Sequence, residues 1–461
     1  MTISIKHLAI AVVCILCAFF FGSLAMEFKY TSSLPLIPKN QADNTKRLTD
    51  SDSLPEEQSS QPNDKISISN VYHIWVRSFK DTNGDGIGDL NGVATQLDYL
   101  KELGIDVIKL SPIFPSPSYH GYEATSFVNI HPELGTFEDF KELILKAENL
   151  NIDVYLDIAV NHTSDQHPWF IKSIQGIKPY DNYYLWENTL LEGYGYAWED
   201  TPSPTSVWHT KASRPNDYYY GVFGFASPDL NYDDPTVFQE MSNALIFWIE
   251  KGVKGFRIDA ARYLVETGPL TGQRDTEKNI NLLNRLIGEV RKRHKETMFI
   301  GEVFAGTETT PLYLENTEGI DSLYNFEFLY AVNNALQYSS TSSNKFDVDA
   351  SIATMEHFYA RAQNVSRFAS KQAVFISNHD VGRHPELANN LVHQKIALSL
   401  LLMSPYTPVI YYGDEIGLHP FSHERDVFKR DLMHWNDSPN WAGFTSGNKV
   451  WVDDPIYFSW L

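Results

Sequence analysis

The sequence predicts a closed (β/α)8 barrel of the TIM type, an α/β fold in which eight parallel strands alternate with outer helices. Eight short apolar runs recur along the chain, helical segments separate most of them, and polar clusters follow several of them. The runs have the length and the β-branched and aromatic content of buried strands. They cover residues 71–76, 106–111, 153–160, 253–260, 297–303, 323–328, 373–377 and 408–412.

Helices are predicted between several of these strands. Thr136, followed three residues later by Asp139, is typical of the N-cap arrangement that begins a helix. Strands and helices that alternate in this way are typical of a parallel sheet covered by helices. The predicted helices lie near residues 93–100, 136–149, 238–251 and 279–293.

The alternation stops between the third and fourth predicted strands. For roughly 70 residues the chain is rich in Trp, Tyr, Gly and Pro and shows little helical period, which indicates a functional loop or an inserted subdomain. We therefore expect an inserted domain over residues 163–235, between a first barrel part at 67–162 and a second part at 236–461.

The N-terminal part differs in composition from the barrel. An apolar run over residues 8–25 ends in the small residues Ser23 and Ala25, as a signal peptide does, and it also approaches the length that spans a bilayer. A cleaved signal peptide and an uncleaved anchor are both open for residues 1–25. Either one directs the chain into the secretory pathway, with the barrel extracellular or membrane-anchored outside the cytoplasm. The polar residues 26–66 predict a disordered linker.

Net charge limits the kinds of ligand that the protein can bind, and cysteine content limits the disulfides that it can form. The formal charge of −21 argues against nucleic acid, because a phosphate backbone needs positive charge on its partner. A neutral or cationic ligand, or a metal ion, is easier to accommodate. Both cysteines, Cys14 and Cys17, lie in the N-terminal apolar run, so we expect no disulfide in the folded part. We expect a monomer.

Residues 81–89 alternate oxygen-bearing side chains with glycine. This spacing is typical of the first part of a Ca²⁺-binding loop, in which oxygen atoms are the ligands. A solvated turn rich in Gly and Asp is the alternative interpretation. The oxygen-bearing side chains are those of Asp81, Asn83, Asp85 and Asp89.

The run 255–260 carries one cation and one carboxylate, Arg257 and Asp259. Residues two apart in a strand point to the same face, so these side chains should pair. A guanidinium lowers the pKa of a neighbouring carboxyl group, which keeps it ionised and available as a nucleophile. An ordinary buried ion pair is the alternative interpretation of this run alone.

Polar clusters end four of the predicted strands and should meet on one rim of the barrel, where the active sites of this architecture lie. Two carboxyl groups there could cleave a glycosidic bond, one attacking the anomeric carbon and one protonating the leaving oxygen. Because only Asp259 has a cation beside it in the sequence, we assign it as nucleophile and Glu302 as acid/base. The clusters are Asp157 with Asn161 and His162, Arg257 with Asp259, Glu302, and Asn378 with His379 and Asp380.

These clusters resemble the four signature regions of the α-amylase superfamily of retaining glycoside hydrolases. Residues 157–162 are similar to the first region, 255–260 to the second, Glu302 to the third and 378–380 to the fourth. The segment Ser227-Pro-Asp-Leu-Asn is similar to a motif near the end of the family's inserted domain. The resemblance runs from about residue 71 to the end of the chain.

The resemblance implies hydrolysis of α-glucosidic bonds in an α-glucan or maltooligosaccharide by double displacement. Asp259 would be the nucleophile, Glu302 the general acid/base, and Asp380 would fix the sugar hydroxyls. The further sugar-binding residues would be Tyr122 by stacking, Arg257 by orienting Asp259, and His162, His379 and Asp157. The resemblance also extends to the calcium loop of the oligo-1,6-glucosidase branch, whose ligands here would be Asp81, Asn83, Asp85, Asp89 and the carbonyl of Ile87.

Three departures from the family's pattern bear on specificity and domain content. The Asp that its α-glucosidases usually carry three residues before the stacking Tyr is Tyr119 here, which favours an α-amylase over a strict exo-acting maltase. Glu123 and the pair Ser126-Phe127 replace the next acidic positions. Relatives continue past the position of Leu461 with a last barrel helix and a C-terminal β-sandwich, which the resemblance implies are missing here.

Non-enzymatic heavy subunits of amino-acid transporters resemble the same family and form an alternative. They carry an N-terminal anchor and join a light chain through an ectodomain cysteine. No cysteine follows Cys17, and Asp259, Glu302 and Asp380 are all present. A catalytically inactive carbohydrate-binding relative is a third interpretation. The intact carboxylates favour the enzyme over both.

Overall fold

Eight parallel strands close a barrel in which each strand pairs with the next and the last pairs with the first. The computed structural model describes residues 70–337, 348–362, 368, 370–383, 390–418, 426–438 and 441–452. Each predicted run overlaps one barrel strand, so the predicted (β/α)8 fold is confirmed. The barrel strands are β1 (Val71–Ile74), β2 (Val107–Leu110), β3 (Asp153–Ala159), β7 (Gly255–Asp259), β8 (Met298–Gly301), β9 (Ser322–Asn325), β10 (Gln372–Val374) and β11 (Thr407–Tyr411).

Side chains of β7 alternate between two environments, as the pleat requires. Phe256 and Ile258 are fully buried in the apolar layer between the sheet and the helices. Arg257 and Asp259 lie on the opposite face, inside the barrel. A Cβ atom at Gly255 would lie 2.7 Å from the carbonyl oxygen of Met298, so the start of this strand has no room for a side chain.

Helices cover the outside of the barrel. The predicted capping box is present, since the Thr136 hydroxyl accepts from the Asp139 amide and the Asp139 carboxylate accepts from the Thr136 amide at 2.7 Å. The helix predicted over 93–100 is instead two short helices that meet at Gln96. The backbone N–H of Gln96 donates to the carbonyls of Val93 and Ala94 and so ends the first helix. The helices are α1 (Val76–Phe79), α2 (Leu90–Thr95), α3 (Leu97–Glu102), α4 (Phe137–Asn149), α5 (Pro168–Ile174), α6 (Pro235–Glu250), α7 (Glu277–Arg291), α8 (Thr310–Leu314), α9 (Phe326–Gln337), α10 (Val348–Ala362) and α11 (Leu391–Leu402).

The segment between β3 and α6 contains α5 and a small antiparallel sheet. Its strands are β4 (Trp186–Glu187), β5 (Trp208–Lys211) and β6 (Arg214–Tyr220), with β6 in the centre. An aromatic cluster from this sheet and its loops packs against Ala260 and Tyr263, just beyond β7. The inserted segment therefore borders the strand end that carries Asp259. The exact bounds of the inserted domain stay a prediction.

The described residues after β11 form two 3₁₀ helices, Asp426–Arg430 and Trp441–Gly443, and no α-helix. This segment packs against α1, which follows the carboxyl end of β1, and the indole N–H of Trp435 donates to the carbonyl of Phe79 at 2.7 Å. Within the described ranges no helix has the length and apolar content needed to cross a bilayer. The predicted N-terminal apolar run and linker lie outside the described residues.

Candidate active site

Arg257 lies at the centre of the site and is 2% exposed. Its Nη1 donates to Oδ1 of Asp157 at 2.7 Å and to Asp259, and its Nη2 lies 2.9 Å from Oε1 of Glu302. Strand register accounts for this arrangement, since Asp157 on β3 pairs directly with Arg257 on β7 and Glu302 follows the adjacent β8. One guanidinium thus contacts three carboxylates from three neighbouring strands.

The sequence argument that distinguished Asp259 from Glu302 by their cationic neighbours is wrong. Glu302 has no charged residue next to it in the sequence, but Arg257 reaches it from the adjacent strand. Burial raises the pKa of Asp259 well above its usual value, and Arg257 opposes that rise without reversing it. The lowered pKa expected for Asp259 is therefore not found.

Lys109 provides a second buried cation that the sequence analysis missed. Its Nζ donates to Oδ2 of Asp157 at 2.7 Å, and both side chains are almost inaccessible to solvent. Burial lowers the pKa of Lys109 to about 8, and Asp157 opposes that change. The sequence does contain a sign of this buried cation, because a lysine stands between Ile108 and Leu110 inside an apolar strand. Asp157 is thus held between Lys109 and Arg257.

Tyr122 and His379 form one wall of the site. Their rings stack with centroids 5.5 Å apart and planes 13° apart, and the Tyr122 hydroxyl lies 2.6 Å from Nε2 of His379. The same hydroxyl donates to Oδ2 of Asp157 at 3.1 Å. Burial lowers the pKa of His379 well below its usual value, so the imidazole is neutral.

Asp380 lies at the mouth of the site beside His379, whose Nε2 is 3.0 Å from Oδ2 of Asp380. Desolvation by the pocket walls, together with the charge of Glu302, raises the pKa of Asp380 to about 6. The guanidinium of Arg430 lies 3.7 Å from its other oxygen. The structure thus brings the fourth predicted region to the same place as Asp259 and Glu302.

His162 lies behind the mouth, where the inserted segment meets the barrel. It pairs with Asp229 through an isolated β-bridge, and its ring packs on Phe223 at 5.3 Å. Asn161 Nδ2 donates to Oδ2 of Asp229 at 2.9 Å. Burial lowers the pKa of His162 to about 4, which leaves the ring neutral. The 227–231 motif and the first signature region are therefore in direct contact.

The departure at Tyr119 belongs to a cluster that the sequence analysis did not find. The Tyr119 hydroxyl donates to Oδ2 of Asp426 at 2.7 Å and lies 2.6 Å from Nη1 of Arg430, which donates to it. Arg430 also pairs with Asp426 and stacks on Trp75 with its guanidinium carbon 4.9 Å from the ring centroid. The partners lie about 310 positions apart in the chain, too far for a sequence pattern to connect them.

The predicted Ca²⁺ loop is held by hydrogen bonds to its own backbone. The Asp81 carboxylate accepts from the amides of Gly84 and Gly86, each at 2.8 Å, and Asp85 accepts from Ile87 at 2.8 Å. Asp89 caps α2. Across the part of the chain that the structure describes, no group of three or more His, Cys, Asp or Glu side chains converges as metal ligands. The Ca²⁺ site stays a prediction.

Comparison with known proteins identifies the family. Residues 73–458 match the family model for the alpha amylase catalytic domain. The chain belongs to the α-amylase family. It is 36% identical over 370 residues to Alpha-amylase 3 of Dictyoglomus thermophilum, which covers 79% of this chain and 67% of that protein. It is 34% identical over 449 residues to the oligo-1,6-glucosidase of Bacillus cereus, covering 84% and 78%.

A solved structure, the α-amylase from H. orenii, matches this fold with a TM-score of 0.70 and 31% sequence identity. The match covers 85% of this chain and 76% of that one. The protein is thus an α-amylase-family glycoside hydrolase. The alternative of a non-enzymatic transporter subunit gains no support, because Asp259, Glu302 and Asp380 are all present around one pocket.

Replacing Lys109 by Met should strongly destabilise the fold, because the change keeps the volume and leaves buried Asp157 without one of its two cations. Breaking a buried pair in this way costs about 3–5 kcal/mol of unfolding free energy. Urea denaturation at pH 7 measures it. Lys141→Met removes an exposed pair with Glu138 and should cost no more than about 1 kcal/mol. Equal losses in the two variants would show that Lys109 has no special electrostatic role.

Proposed function

We propose that this protein hydrolyses α-glucosidic bonds of starch-derived oligosaccharides by a retaining double displacement, and that it cuts within the glucan chain, as an α-amylase does. The contact of one guanidinium, that of Arg257, with both Asp259 and Glu302 carries the proposal. A single guanidinium can bind two carboxylates only when they are close together. Retaining glycosidases need such closeness, with a separation of about 5–5.5 Å.

In the proposed first step, a carboxylate oxygen of Asp259 attacks the anomeric carbon while Glu302 gives its proton to the leaving glycosidic oxygen. The products are a glycosyl ester on Asp259 and a shortened glucan. In the second step Glu302 takes a proton from water, whose oxygen attacks the anomeric carbon and releases Asp259. The amide of Ala260 donates to Oε2 of Glu302 at 3.0 Å, which orients that carboxyl group toward Asp259.

Asp380 and Tyr122 complete the proposed sugar site. The Asp380 carboxylate, at the mouth of the site, would accept hydrogen bonds from sugar hydroxyls. It does so best when ionised, that is, above its pKa of about 6. The ring of Tyr122, held parallel to His379, would stack on the sugar. These contacts position the anomeric carbon between Asp259 and Glu302.

Tyr119 supports cleavage within the chain. Where the α-glucosidases of the family usually carry a carboxylate, this chain has a hydroxyl that the protein itself binds, through Asp426 and Arg430. The position therefore offers no free carboxylate to hold the end of a glucan. Two of the similar proteins, those of D. thermophilum and H. orenii, carry the name α-amylase.

Asp259→Asn should reduce hydrolysis of maltoheptaose by at least about 10⁴-fold, because it removes the nucleophile and preserves shape. The unchanged protein should release a mixture of oligosaccharides early in the reaction, as separated by chromatography. Circular dichroism should show the same fold for the variant. Glucose as the sole early product would refute cleavage within the chain, and near-normal activity of Asp259→Asn would refute the assignment of the nucleophile.

We also propose that the loop 81–89 binds a structural Ca²⁺ ion through Asp81, Asn83, Asp85, Asp89 and the carbonyl of Ile87. The donor set fits in chemistry, since all five ligands are oxygen atoms, which Ca²⁺ prefers. The proposed ion would stabilise the loop, and no step of the reaction depends on it. Asp81 also accepts from the Thr445 hydroxyl, so the loop is tied to the C-terminal segment.

Removal of Ca²⁺ should lower the melting temperature, because an ion bound only by the folded state stabilises that state. At a hundredfold excess over the dissociation constant the gain is about 2.7 kcal/mol, which for a domain of this size shifts the melting temperature by roughly 3 °C. Differential scanning fluorimetry with EDTA, and then with added CaCl₂ or MgCl₂, measures it. Identical melting curves under all of these conditions would contradict the proposed Ca²⁺ site.

We further propose that residues 1–25 direct the chain into the secretory pathway. Support comes from the apolar run that ends in Ser23 and Ala25. Full-length protein expressed in cells should reach the medium or the outer face of a membrane, where added protease cleaves it. Deletion of residues 1–25 should leave it in the cytosol. Cytosolic retention of the full-length chain would contradict the proposal.

A further inference from the structure

Trp198, on the inserted segment, is the most solvent-exposed large hydrophobic side chain among the described residues, at 68%. Single exposed apolar side chains are common, whereas an exposed apolar surface formed by neighbouring side chains often marks an interaction site. The proposed catalytic steps do not use it. Its position in the fold therefore indicates what it could bind.

The ring of Trp198 is part of a preformed flat surface. It stacks on the ring of Tyr196 with centroids 5.0 Å apart and planes only 3° apart. The Tyr196 hydroxyl donates to the carbonyl of Ser206 at 3.2 Å, and its amide donates to Oε2 of Glu199 at 2.9 Å. These bonds fix Tyr196, so Trp198 rests on a rigid support. We call Tyr196 and Trp198 the aromatic platform.

Short contacts connect the aromatic platform to the active site. Ala197, between the two aromatic residues, donates its amide to the carbonyl of Val222 at 3.1 Å and accepts from the Tyr263 hydroxyl at 2.7 Å. Phe223, the residue after Val222, packs on the rings of His162 and Tyr263, with ring centroids 5.3 and 5.5 Å apart. Tyr263 itself follows the nucleophile candidate by four positions.

We propose that the aromatic platform binds a glucose unit of an α-glucan chain outside the catalytic pocket. The C–H face of a pyranose ring is apolar and stacks on a flat aromatic surface, and the ligand is neutral, which suits a chain of formal charge −21. Asp200, two residues after Trp198 in the chain, pairs with Arg274, and this ion pair offers hydrogen-bond partners for sugar hydroxyls. This inference rests on the proposed function only for the identity of the ligand.

Binding is measured without hydrolysis, by retardation in native gels that contain soluble starch, with Asp259→Asn in every protein. Adding Trp198→Ala should raise the dissociation constant for starch at least fivefold, and Trp198→Phe should recover most of the affinity. Tyr330→Ala is the matched control, because Tyr330 is also an exposed aromatic residue, 44% accessible, on the outer helix α9. That control should leave retardation unchanged.

In the active protein, Trp198→Ala should raise the KM for maltoheptaose and starch and leave the hydrolysis of nitrophenyl α-maltoside, which has only two glucose units, within twofold of normal. Unchanged starch retardation in Trp198→Ala, or equal retardation losses in Trp198→Ala and Tyr330→Ala, would overturn the platform. Trp198-dependent retardation, combined with no hydrolysis of maltoheptaose by the protein that retains Asp259, would support the platform and refute the proposed function.

Discussion

The buried guanidinium of Arg257 is the constraint on which the rest of the site depends. Removal of a carboxylate from water costs several kcal/mol unless a cation compensates it. Arg257 compensates Asp157, Asp259 and Glu302 together, which forces their three strands into one register. If the strand that precedes Glu302 did not lie beside β7, Glu302 would lose its contact with this cation.

The balance of charge around the pocket explains how acid and nucleophile can coexist. Four carboxyl groups, those of Asp157, Asp259, Glu302 and Asp380, face three cations, one of which also pairs with Asp426. Burial, together with the negative charge of Glu302, raises the pKa of Asp259 and of Asp380, and Arg257 opposes the rise, so the site favours retention of a proton. A retaining mechanism needs one protonated and one ionised carboxyl group. The cations are Arg257, Lys109 and Arg430.

The barrel could be predicted because buried parallel strands are continuous apolar runs, which a sequence shows directly. The sheet of the inserted segment could not. Its central strand β6 reads Arg-Pro-Asn-Asp-Tyr-Tyr-Tyr, half of it solvent-facing, and β4 has only two residues. The single helix expected near residues 93–100 divides at Gln96, since nothing in the apolar spacing marks that turn.

For the site, sequence reasoning found what lies within a strand or at its end. The pairing of Arg257 with Asp259 is confirmed, because residues two apart share a face. The contacts that cross the barrel were missed or misjudged: Arg257 with Glu302, Lys109 with Asp157, and Tyr119 with Arg430. Such contacts exist only once the barrel closes, so the cations that surround the two catalytic candidates could not be inferred from their neighbours in the sequence.

The stereochemistry of the first product tests the central claim most directly, because the separation of the two carboxyl groups decides it. Proton NMR of maltoheptaose digestion in its first minutes distinguishes the anomers before they equilibrate. Carboxyl groups held together by Arg257 predict that the α-anomer appears first. Initial release of the β-anomer would mean inversion and would contradict the account.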